Sequence, residues 1–246
     1  MFVDRSGGVL RVTLNAPERR NAVDTAQVND LADLLADDAD LRVAVVAGSG
    51  GAFCAGARLS AAGPNPGFLS AARRLITTMT SSPYPIVAAV DGAVAGFGCS
   101  LALAADITVA SGRSTFLQAF VKVGLMPDGG ANELLAASVG RTRALQLAMS
   151  GEKLSAEDAY RMGLISKCVP DHEFESAVGQ TVDLLAHGPT LALSNMKAAI
   201  NGASLPNLNR TLDFEDAEQA RLLASQDYKE GVAAFREKRQ PRFEGL

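Results

Sequence analysis

Two short apolar runs, rich in β-branched residues, each lead into a glycine-rich turn and then into helical sequence. Residues 41–47 (LRVAVVA) precede the turn at 48–56 (GSGGAFCAG), and residues 86–90 (IVAAV) precede the turn at 91–98 (DGAVAGFG). Such runs are typical of strands covered on both faces, because polar residues do not alternate with the apolar ones. The repeated order of strand, glycine turn and helix predicts an α/β fold with mostly parallel or spiral strand order.

The two ends of the chain differ in character. Residues 9–14 alternate as a strand does, and Asp24 is placed to cap a helix with Gln27 three residues later. From about residue 171 onward, β-branched runs give way to successive helical stretches. We therefore expect a core of residues 1–188 and a helical C-terminal subdomain of residues 189–246. The subdomain is too short to bury its apolar stripes alone, so it should pack on the core or on a neighbouring subunit.

Composition excludes several classes of partner. The 246 residues are 48% hydrophobic and 20% charged, as in an ordinary globular protein, and the net charge of -4 gives no reason to expect nucleic acid. The N-terminus lacks the features of a secretory signal, and no window approaches the ~18 consecutive apolar residues of a membrane span. The sequence thus predicts a cytoplasmic protein with neither a nucleic-acid nor a membrane partner.

Cysteine and histidine are too scarce to suggest their usual chemistry. Cys54, Cys99 and Cys168 are widely spaced among small or apolar neighbours, which favours reduced thiols over disulfides or metal ligands. His172 and His187, the two histidines of the chain, both lie in sequence that we interpret as helical. We expect no metal site and no histidine-based triad, so any catalysis should depend on backbone N–H groups and carboxylates.

The glycine turns are candidates for an anion site. A strand that ends in such a turn and enters a helix presents unpaired N–H groups where the helix dipole favours negative charge. Neither turn has the spacing of a P-loop or a complete dinucleotide fingerprint. Two N–H groups from two helix starts could converge as an oxyanion hole. The alternative is that the glycines only permit close packing of helix on strand.

Six colinear blocks carry a resemblance to a known family. They are LNAPERRNAV (14–23), GSGGAFCAGARLS (48–60), PIVAAVDGAVAGFGCSLALAADITVAS (85–111), FVKVGLMPDGG (120–130), VGRTRALQLAMSGEKLSAEDAYRMGLISKCVP (139–170) and EGVAAFREKRQPRF (230–243). The chain resembles the crotonase superfamily, the enoyl-CoA hydratases and isomerases, over essentially its whole length. The resemblance implies a spiral of β-β-α turns, a C-terminal helical subdomain that builds homotrimers or dimers of trimers, and an acyl-CoA thioester as substrate. No cofactor is expected, since CoA is part of the substrate.

The same resemblance assigns site residues. It implies that the backbone N–H groups of Ala57 and Phe97 grip the thioester oxygen. The further substrate- and CoA-binding positions are Arg20, Ala22, Ala55, Arg58, Leu59, Gly96, Ser100, Phe120, Pro127, Phe235 and Lys238. Arg58 departs from the family, which usually has an aspartate there, and this affects the local hydrogen bonding expected of the first turn. Spacing alone favours a solvated surface charge for Lys238.

The catalytic carboxylates of crotonase-type hydratases are both replaced here. Ser100 and Phe120 occupy the two glutamate positions, and neither side chain can act as a carboxylate base. Asp128, in the sequence GLMPDGG, matches the aspartate of superfamily members that shift a carbon-carbon double bond. Since Pro-Asp-Gly is also a turn signature, Asp128 could instead cap the following helix. Glu133 is a reserve carboxylate, with an exposed helical charge as its alternative.

Three functions remain open from the sequence. The first is an enoyl-CoA isomerase in which Asp128 moves the proton while Ala57 and Phe97 stabilise a dienolate. The second is an enoyl-CoA hydratase with atypical catalytic residues, in which Asp128 orients the water. The third is a non-catalytic acyl-CoA binding protein that keeps the fold without the acid-base chemistry.

Overall fold

Ten strands and nine α-helices make up the described part of the chain. In this computed structural model those residues are 1–36, 38–58 and 67–246. The strands are β1 (Phe2–Ser6), β2 (Val9–Leu14), β3 (Val43–Gly48), β4 (Ala52–Cys54), β5 (Ile86–Val90), β6 (Ala93–Ala95), β7 (Ile107–Ser111), β8 (Thr115–Leu117), β9 (Lys153–Ser155) and β10 (Lys167–Val169). The helices are α1 (Thr25–Leu34), α2 (Phe68–Ser81), α3 (Phe97–Leu103), α4 (Ala131–Ser150), α5 (Ala156–Arg161), α6 (Phe174–Ala186), α7 (Thr190–Ser204), α8 (Leu208–Leu223) and α9 (Gln226–Glu237).

The strands form two sheets, and the chain alternates between them. The larger sheet has the order β1-β2-β3-β5-β7-β10, and the smaller has the order β4-β6-β8-β9. Pairing is parallel except at β1–β2 and β8–β9. The chain therefore repeats one strand in the larger sheet, one in the smaller and then a helix, as β3-β4-α2 and β5-β6-α3. This confirms the expected β-β-α spiral.

Both faces of the central strand β3 are covered, which explains its continuous apolar run. Val43 and Val45 of β3 pack with Val178 and Val182 of α6. The alternate residues Ala44 and Val46 belong to the main core, together with apolar residues of α1 and α2. Strand β3 therefore buries side chains in both directions, and polar alternation is absent from it because neither of its faces meets water.

Helix α1 begins where the sequence predicts. The side chain of Asp24 accepts from the backbone N–H of Gln27 at 3.0 Å, and the Gln27 side chain accepts from the N–H of Asp24 at 3.2 Å. This reciprocal capping box satisfies two N–H groups that lack intrahelical partners. Val28 and Leu31, which lie on one face of the helix, are buried in the core.

The C-terminal helices follow the turn between Ala186, where α6 ends, and Thr190, where α7 begins. The expected division at 188/189 falls in this turn, and the independence of residues 189–246 as a folding unit stays a prediction. Among the described residues, no helix is long and apolar enough to cross a membrane.

Candidate active site

The two glycine turns lie side by side because the strands that lead into them are neighbours. Strands β4 and β6 pair in parallel, so the chain leaves both strands at the same edge of the smaller sheet. A Cβ atom at Gly56 would lie 2.8 Å from the carbonyl oxygen of Ala95 and 3.2 Å from the amide nitrogen of Phe97. Gly56 also has φ +95°, a conformation that favours glycine. Glycine at this position therefore lets the first turn contact the start of α3.

The N–H groups of Ala57 and Phe97 are not used in the backbone pairing around them. The backbone on either side of Ala57 pairs with Val23, through Val23 N–H to Gly56 O at 2.9 Å and Arg58 N–H to Val23 O at 2.8 Å. In extended backbone the N–H of the intervening residue points to the opposite edge. Phe97 is the first residue of α3, where an N–H has no intrahelical acceptor. Within the described residues, neither N–H has a backbone acceptor outside the regular elements.

Asn21 organises the first turn, and sequence reasoning missed it. Its side chain accepts from the N–H of Ala16 at 2.8 Å and donates to the carbonyl oxygens of Ser49 and Ala52 at 2.8 and 2.7 Å. It is 1% exposed and has φ 56°, which asparagine tolerates better than most residues. Asn21 thus joins the loop before α1 to the connection between β3 and β4.

Four of the predicted CoA-binding residues are brought together by this arrangement. The N–H of Ala55 donates to the carbonyl oxygen of Arg20 at 2.9 Å, and Ala57 forms a β-bridge with Val23. Arg20 and Arg58 are exposed, while Ala22 and Ala55 are half-buried between them. The arginine at position 58 leaves the local pairing intact, since its own N–H reaches Val23. Leu59 lies outside the described residues.

Phe235 and Lys238 are placed differently. Both are exposed, Phe235 in the last turn of α9 and Lys238 directly after it. Helix α9 packs against α8 and against residues Ala119–Val123, and a CoA-binding role for Phe235 and Lys238 stays a prediction.

Asp128 lies beside the first turn of α3. The carbonyl oxygen of Asp128 accepts from the hydroxyl of Ser100 at 2.7 Å, and a Cβ atom at Gly129 would meet the Phe97 ring at 2.9 Å. Ser100 follows Phe97 by three residues, which is about one helical turn. The segment that carries Asp128 therefore packs against the same helical turn that presents the Phe97 N–H group.

The carboxyl group of Asp128 is held through one of its two oxygens. Oδ2 accepts from Nε2 of Gln219 on α8 at 2.9 Å. Oδ1 is buried and has no hydrogen-bond partner among the described residues. An unpaired buried polar atom in a native site calls for an explanation, and a reacting substrate is one of the few that apply. Gln219, 91 residues further along the chain, was not predicted from the sequence.

The interpretation of Asp128 as a helix cap is wrong. The first N–H groups of α4 are satisfied by Glu215 of α8, which accepts from Gly130 N–H at 2.6 Å and Asn132 N–H at 3.3 Å. The side chain of Asn132 also donates to Glu215, at 2.7 Å. A negative carboxylate at this end of α4 is favoured by the helix dipole as well. The side chain of Asp128 is therefore not engaged in capping.

The interpretation of Glu133 as an exposed helical charge is also wrong. Glu133 is half-buried and accepts from Asn207 N–H at 2.9 Å and from the Thr211 hydroxyl at 2.8 Å. Asn207 immediately precedes α8, so Glu133 of α4 secures the start of α8 while Glu215 of α8 secures the start of α4. Each helix thus supplies a carboxylate that accepts hydrogen bonds at the start of the other, and the Glu133 carboxylate is held in this contact.

The surroundings of Asp128 raise its pKa to about 7. Burial is the largest cause, because it penalises the charged form, and the negative charges of Glu215 and Asp216 add to it. The hydrogen bond from Gln219 acts in the opposite direction. A carboxyl group with such a pKa can both accept and return a proton near neutral pH.

Aromatic and apolar groups surround the start of α3. The rings of Phe68 on α2 and Phe97 meet edge to face, with centroids 5.1 Å apart. Phe120 is buried, and a Cβ atom at Gly96 would lie 4.0 Å from its ring. Pro127, next to Asp128, is buried as well. The segment that carries Asp128 therefore lies against an apolar part of the molecule, in keeping with the burial that raises the pKa of its carboxyl group.

The cysteines are unreactive in this setting. Burial raises the pKa of Cys54 and of Cys99 to about 12, so both are neutral thiols at physiological pH. Cys168 is half-buried and also free. Over residues 1–36, 38–58 and 67–246, no group of three or more His, Cys, Asp or Glu residues is arranged to hold a metal ion.

Comparison with known proteins identifies close relatives. Residues 4–246 match the family described as enoyl-CoA hydratase/isomerase. The chain is 40% identical over 246 residues to a probable enoyl-CoA hydratase of Rhodobacter capsulatus, covering 98% of this chain and 96% of the relative. It is 38% identical over 250 residues to 1,2-epoxyphenylacetyl-CoA isomerase of Escherichia coli, covering 97% and 95%. A solved enoyl-CoA hydratase structure from Mycobacterium avium subsp. paratuberculosis matches with a TM-score of 0.95 at 39% identity, covering 99% of this chain and 98% of the other.

Proposed function

The chain belongs to the enoyl-CoA hydratase/isomerase family, and we propose that it shifts a carbon-carbon double bond of an enoyl-CoA thioester with Asp128 as the proton carrier. The substrate is an acyl-CoA whose thioester oxygen is bound by the N–H groups of Ala57 and Phe97. The isomerase name of the Escherichia coli relative supports this choice within the family.

The observation that carries the proposal is the state of the Asp128 carboxyl group. Oδ2 is held by Gln219, whereas the buried Oδ1 has no partner among the described residues. The pKa of about 7 keeps the charged and neutral forms both accessible near neutral pH. A single oxygen that is free, buried and able to titrate is what a one-carboxylate proton transfer needs.

The proposed reaction uses the carboxylate twice and consumes nothing. Asp128 removes a proton from the carbon next to the thioester carbonyl, and the electron pair moves into a dienolate. The N–H groups of Ala57 and Phe97 donate to the negative oxygen, each contributing about 2.7–4 kcal/mol of stabilisation. The protonated Asp128 then returns the proton to the far end of the conjugated system, which leaves the double bond in its new position.

The replaced glutamate positions fit isomerisation better than hydration. The hydroxyl of Ser100 donates to the backbone of Asp128, and Phe120 is buried as part of the apolar wall. Neither supplies a second acid or base. Addition of water needs one group to activate the water and another to deliver a proton, while a double-bond shift needs one carboxylate.

The CoA arm is proposed to bind along the segments of Arg20 and Arg58. Both guanidinium groups are exposed and adjoin Ala22 and Ala55, and neither forms an ion pair with a described carboxylate. Two such cations at one mouth attract the polyanionic CoA despite the net charge of -4. Phe235 and Lys238 are proposed to reach the nucleotide end from the C-terminal helices of an assembled oligomer.

A homotrimer or a dimer of trimers is proposed as the assembly. Large apolar side chains are exposed on the C-terminal helices, among them Leu191 at 77%, Ile200 at 64% and Phe214 at 59%. Burial of such side chains between subunits is favourable. Light scattering coupled to gel filtration should give three or six times the mass of one chain, and a monomeric mass would contradict the proposal.

A panel of thioesters tests the proposed activity. Purified protein is incubated with 3-enoyl-CoA thioesters of different chain length and with a ring-bearing acyl group, and conversion to 2-enoyl-CoA is followed by chromatography. Conversion of at least one substrate, absent with Asp128→Asn, is expected. Crotonyl-CoA in the same assay reports hydration through loss of absorbance.

The alternatives are separate outcomes of the same experiment. Hydration of crotonyl-CoA without any double-bond shift would show a hydratase with atypical catalytic residues. Calorimetric binding of acyl-CoA without turnover of any thioester would show a non-catalytic binding protein. Either result would overturn the proposed isomerase.

A further inference from the structure

We propose that Gln219 and Glu215 of α8 are positioning residues that hold the Asp128 loop and its carboxyl group in the orientation needed for proton transfer. The inference rests on the proposed function, because it concerns the same carboxyl group. Neither the family resemblance nor the geometry of the two glycine turns gives Gln219 or Glu215 a part in the reaction. Both come from the C-terminal helices, which sequence reasoning treated as a packing and assembly element.

Gln219 fixes both the carboxyl group and the loop that carries it. Its Nε2 donates to Oδ2 of Asp128 at 2.9 Å and to the carbonyl oxygen of Met126 at 2.8 Å, while its Oε1 accepts from Met126 N–H at 3.2 Å. Gln219 is 1% exposed, so water does not compete for these bonds. Oδ1 has no hydrogen-bond partner among the described residues, so it is the oxygen of the carboxyl group that is left free to approach a substrate.

Glu215 fixes the other side of the same loop. It lies one helical turn before Gln219 and accepts from Gly130 N–H at 2.6 Å, two residues after Asp128. Gly130 has φ +74°, and its N–H would otherwise be an unsatisfied donor at the start of α4. Residues 126 and 130 are therefore both bonded to α8, and Asp128 lies midway between them.

The two residues affect the proton affinity of Asp128 in opposite directions. The amide of Gln219 stabilises the charged carboxylate, whereas the negative charge of Glu215 disfavours it. Both are on α8, so any displacement of this helix changes the two contributions together. Substitution of one residue at a time separates them.

The other charged groups near this point are already paired. Asp216 of α8 also raises the pKa of Asp128, and its carboxylate accepts from Arg73 of α2 at 3.0 Å. Arg73 pairs with Asp213 as well, at 2.7 Å. From α4, Glu133 is bonded to Asn207 and Thr211 at the start of α8. From α3, Ser100 contributes a neutral hydroxyl that donates to the Asp128 backbone.

The test compares Gln219→Met and Glu215→Gln with Asn201→Leu as a matched control. Asn201 is also an amide on a C-terminal helix, and its Nδ2 donates to the carbonyl oxygen of Thr80 at 2.9 Å, so its loss disturbs docking without touching the Asp128 loop. For each variant we measure kcat and KM for the 3-enoyl-CoA substrate across pH, and Kd for a saturated acyl-CoA. Denaturant unfolding verifies that each variant is folded.

Opposite displacements of the pH profile are expected. Gln219→Met should lower kcat by about 10- to 100-fold with KM and Kd nearly unchanged, because the carboxyl group is misplaced while the binding groups are not. Its acidic limb should move to higher pH. The acidic limb of the Glu215→Gln profile should move to lower pH. The profile of Asn201→Leu should coincide with that of the wild type.

The outcomes distinguish this inference from the function on which it rests. Suppose that the acidic limbs of the pH profiles of Gln219→Met and Glu215→Gln coincide with that of the wild type, while Asp128→Asn abolishes turnover. The positioning role is then wrong and the proposed function stands. If Asp128→Asn turns over at the wild-type rate, the proposed function fails and the inference with it. If Gln219→Met does not fold, the direction of the Glu215→Gln shift decides: a shift to lower pH supports the inference, and no shift or the opposite shift overturns it.

Discussion

The ammonium group of Lys197 lies 2.9 Å from Oδ2 of Asp106, and the lysine side chain is 5% exposed. Lys197 belongs to α7, and Asp106 precedes β7 and also accepts from the backbone N–H of Ile86 at 2.7 Å. The same Nζ donates to the carbonyl oxygen of Met79 and to the hydroxyl of Ser82, both at 2.7 Å. One buried charge therefore bonds the C-terminal helices to the larger sheet and to the end of α2.

Removal of this cation should destabilise the whole fold. Lys197→Met leaves Asp106 buried without its counter-ion, and loss of one partner of a buried pair costs about 3–5 kcal/mol. Urea unfolding of the variant measures this cost. The double variant Lys197→Met, Asp106→Asn should recover part of the loss, since no charge then stays unpaired. A loss below 1 kcal/mol in the single variant would show that the pair does not secure α7.

Substitution at Gly56 should damage the oxyanion site. In Gly56→Ala the new methyl group would lie 2.8 Å from the Ala95 carbonyl oxygen, at a φ of +95° that disfavours alanine. We expect displacement of the Ala57 and Phe97 N–H groups and a fall in kcat of about 10²- to 10³-fold. The measurement is turnover of the best 3-enoyl-CoA substrate.

Gly179→Ala is the matched control for that substitution. Gly179 is exposed within α6, and a Cβ atom there would contact nothing within 4 Å. Alanine should stabilise the helix by about 0.5–1 kcal/mol without altering kcat. If both glycine variants kept wild-type turnover, close approach at Gly56 would have no part in catalysis.

Burial explains which elements the sequence could predict. Strand β5 coincides with the apolar run IVAAV, because a strand covered on both faces buries its side chains in both directions. Strands β4 and β6 were missed, since three residues inside a glycine turn are too few to show periodicity. Strand β1 was also missed, although Gly7 and Gly8 are a recognisable hairpin signal.

Some residues of the candidate site could be predicted from local sequence motifs, and others only from contacts between distant parts of the chain. The glycine turns and Asp128 could be identified, because each depends on a short motif and on the resemblance that the motifs carry. Gln219 and Glu215 could not, because they reach Asp128 and Gly130 from 91 and 85 residues away. An internal glutamine or glutamate in a polar helix gives no signal of such a contact, which exists only after α8 packs on α4.

The pH dependence of catalysis should follow the Asp128 carboxyl group. Proton abstraction requires the carboxylate, and the pKa of Asp128 is raised to about 7. The value of kcat/KM should therefore rise as pH increases through about 7, and at pH 5 it should be about 100-fold below its plateau. A profile with its acidic limb near pH 4 would mean that the carboxyl group is not desolvated when it reacts.

The same carboxyl group should make stability fall with rising pH. The folded protein keeps the Asp128 proton up to about pH 7, whereas in the unfolded chain the carboxyl group ionises near its ordinary pKa of 3.8. Folding thus binds a proton between these values, and stability declines as pH rises through the interval. At about 1.4 kcal/mol per pH unit, the penalty is of the order of 4 kcal/mol above pH 7.

Asp128→Asn isolates this effect. The amide cannot ionise, and its oxygen can still accept from Gln219, so the variant should be more stable than the wild type above pH 7. The difference should shrink toward zero near pH 4. Urea unfolding at pH 4.5, 6 and 8 checks the trend, and a constant difference across pH would contradict it.

Deuterium transfer within the substrate tests most directly the claim that one carboxylate both removes and returns the proton. A 3-enoyl-CoA deuterated at C2 is converted in a single turnover, and the product is analysed by mass spectrometry and NMR. Asp128 is 6% exposed, so exchange of the abstracted deuteron with water should compete poorly with its return. The account predicts product that carries deuterium at C4, with turnover lowered by at least about 10²-fold in Asp128→Asn. Product with only solvent hydrogen at C4, together with wild-type turnover in that variant, would contradict it.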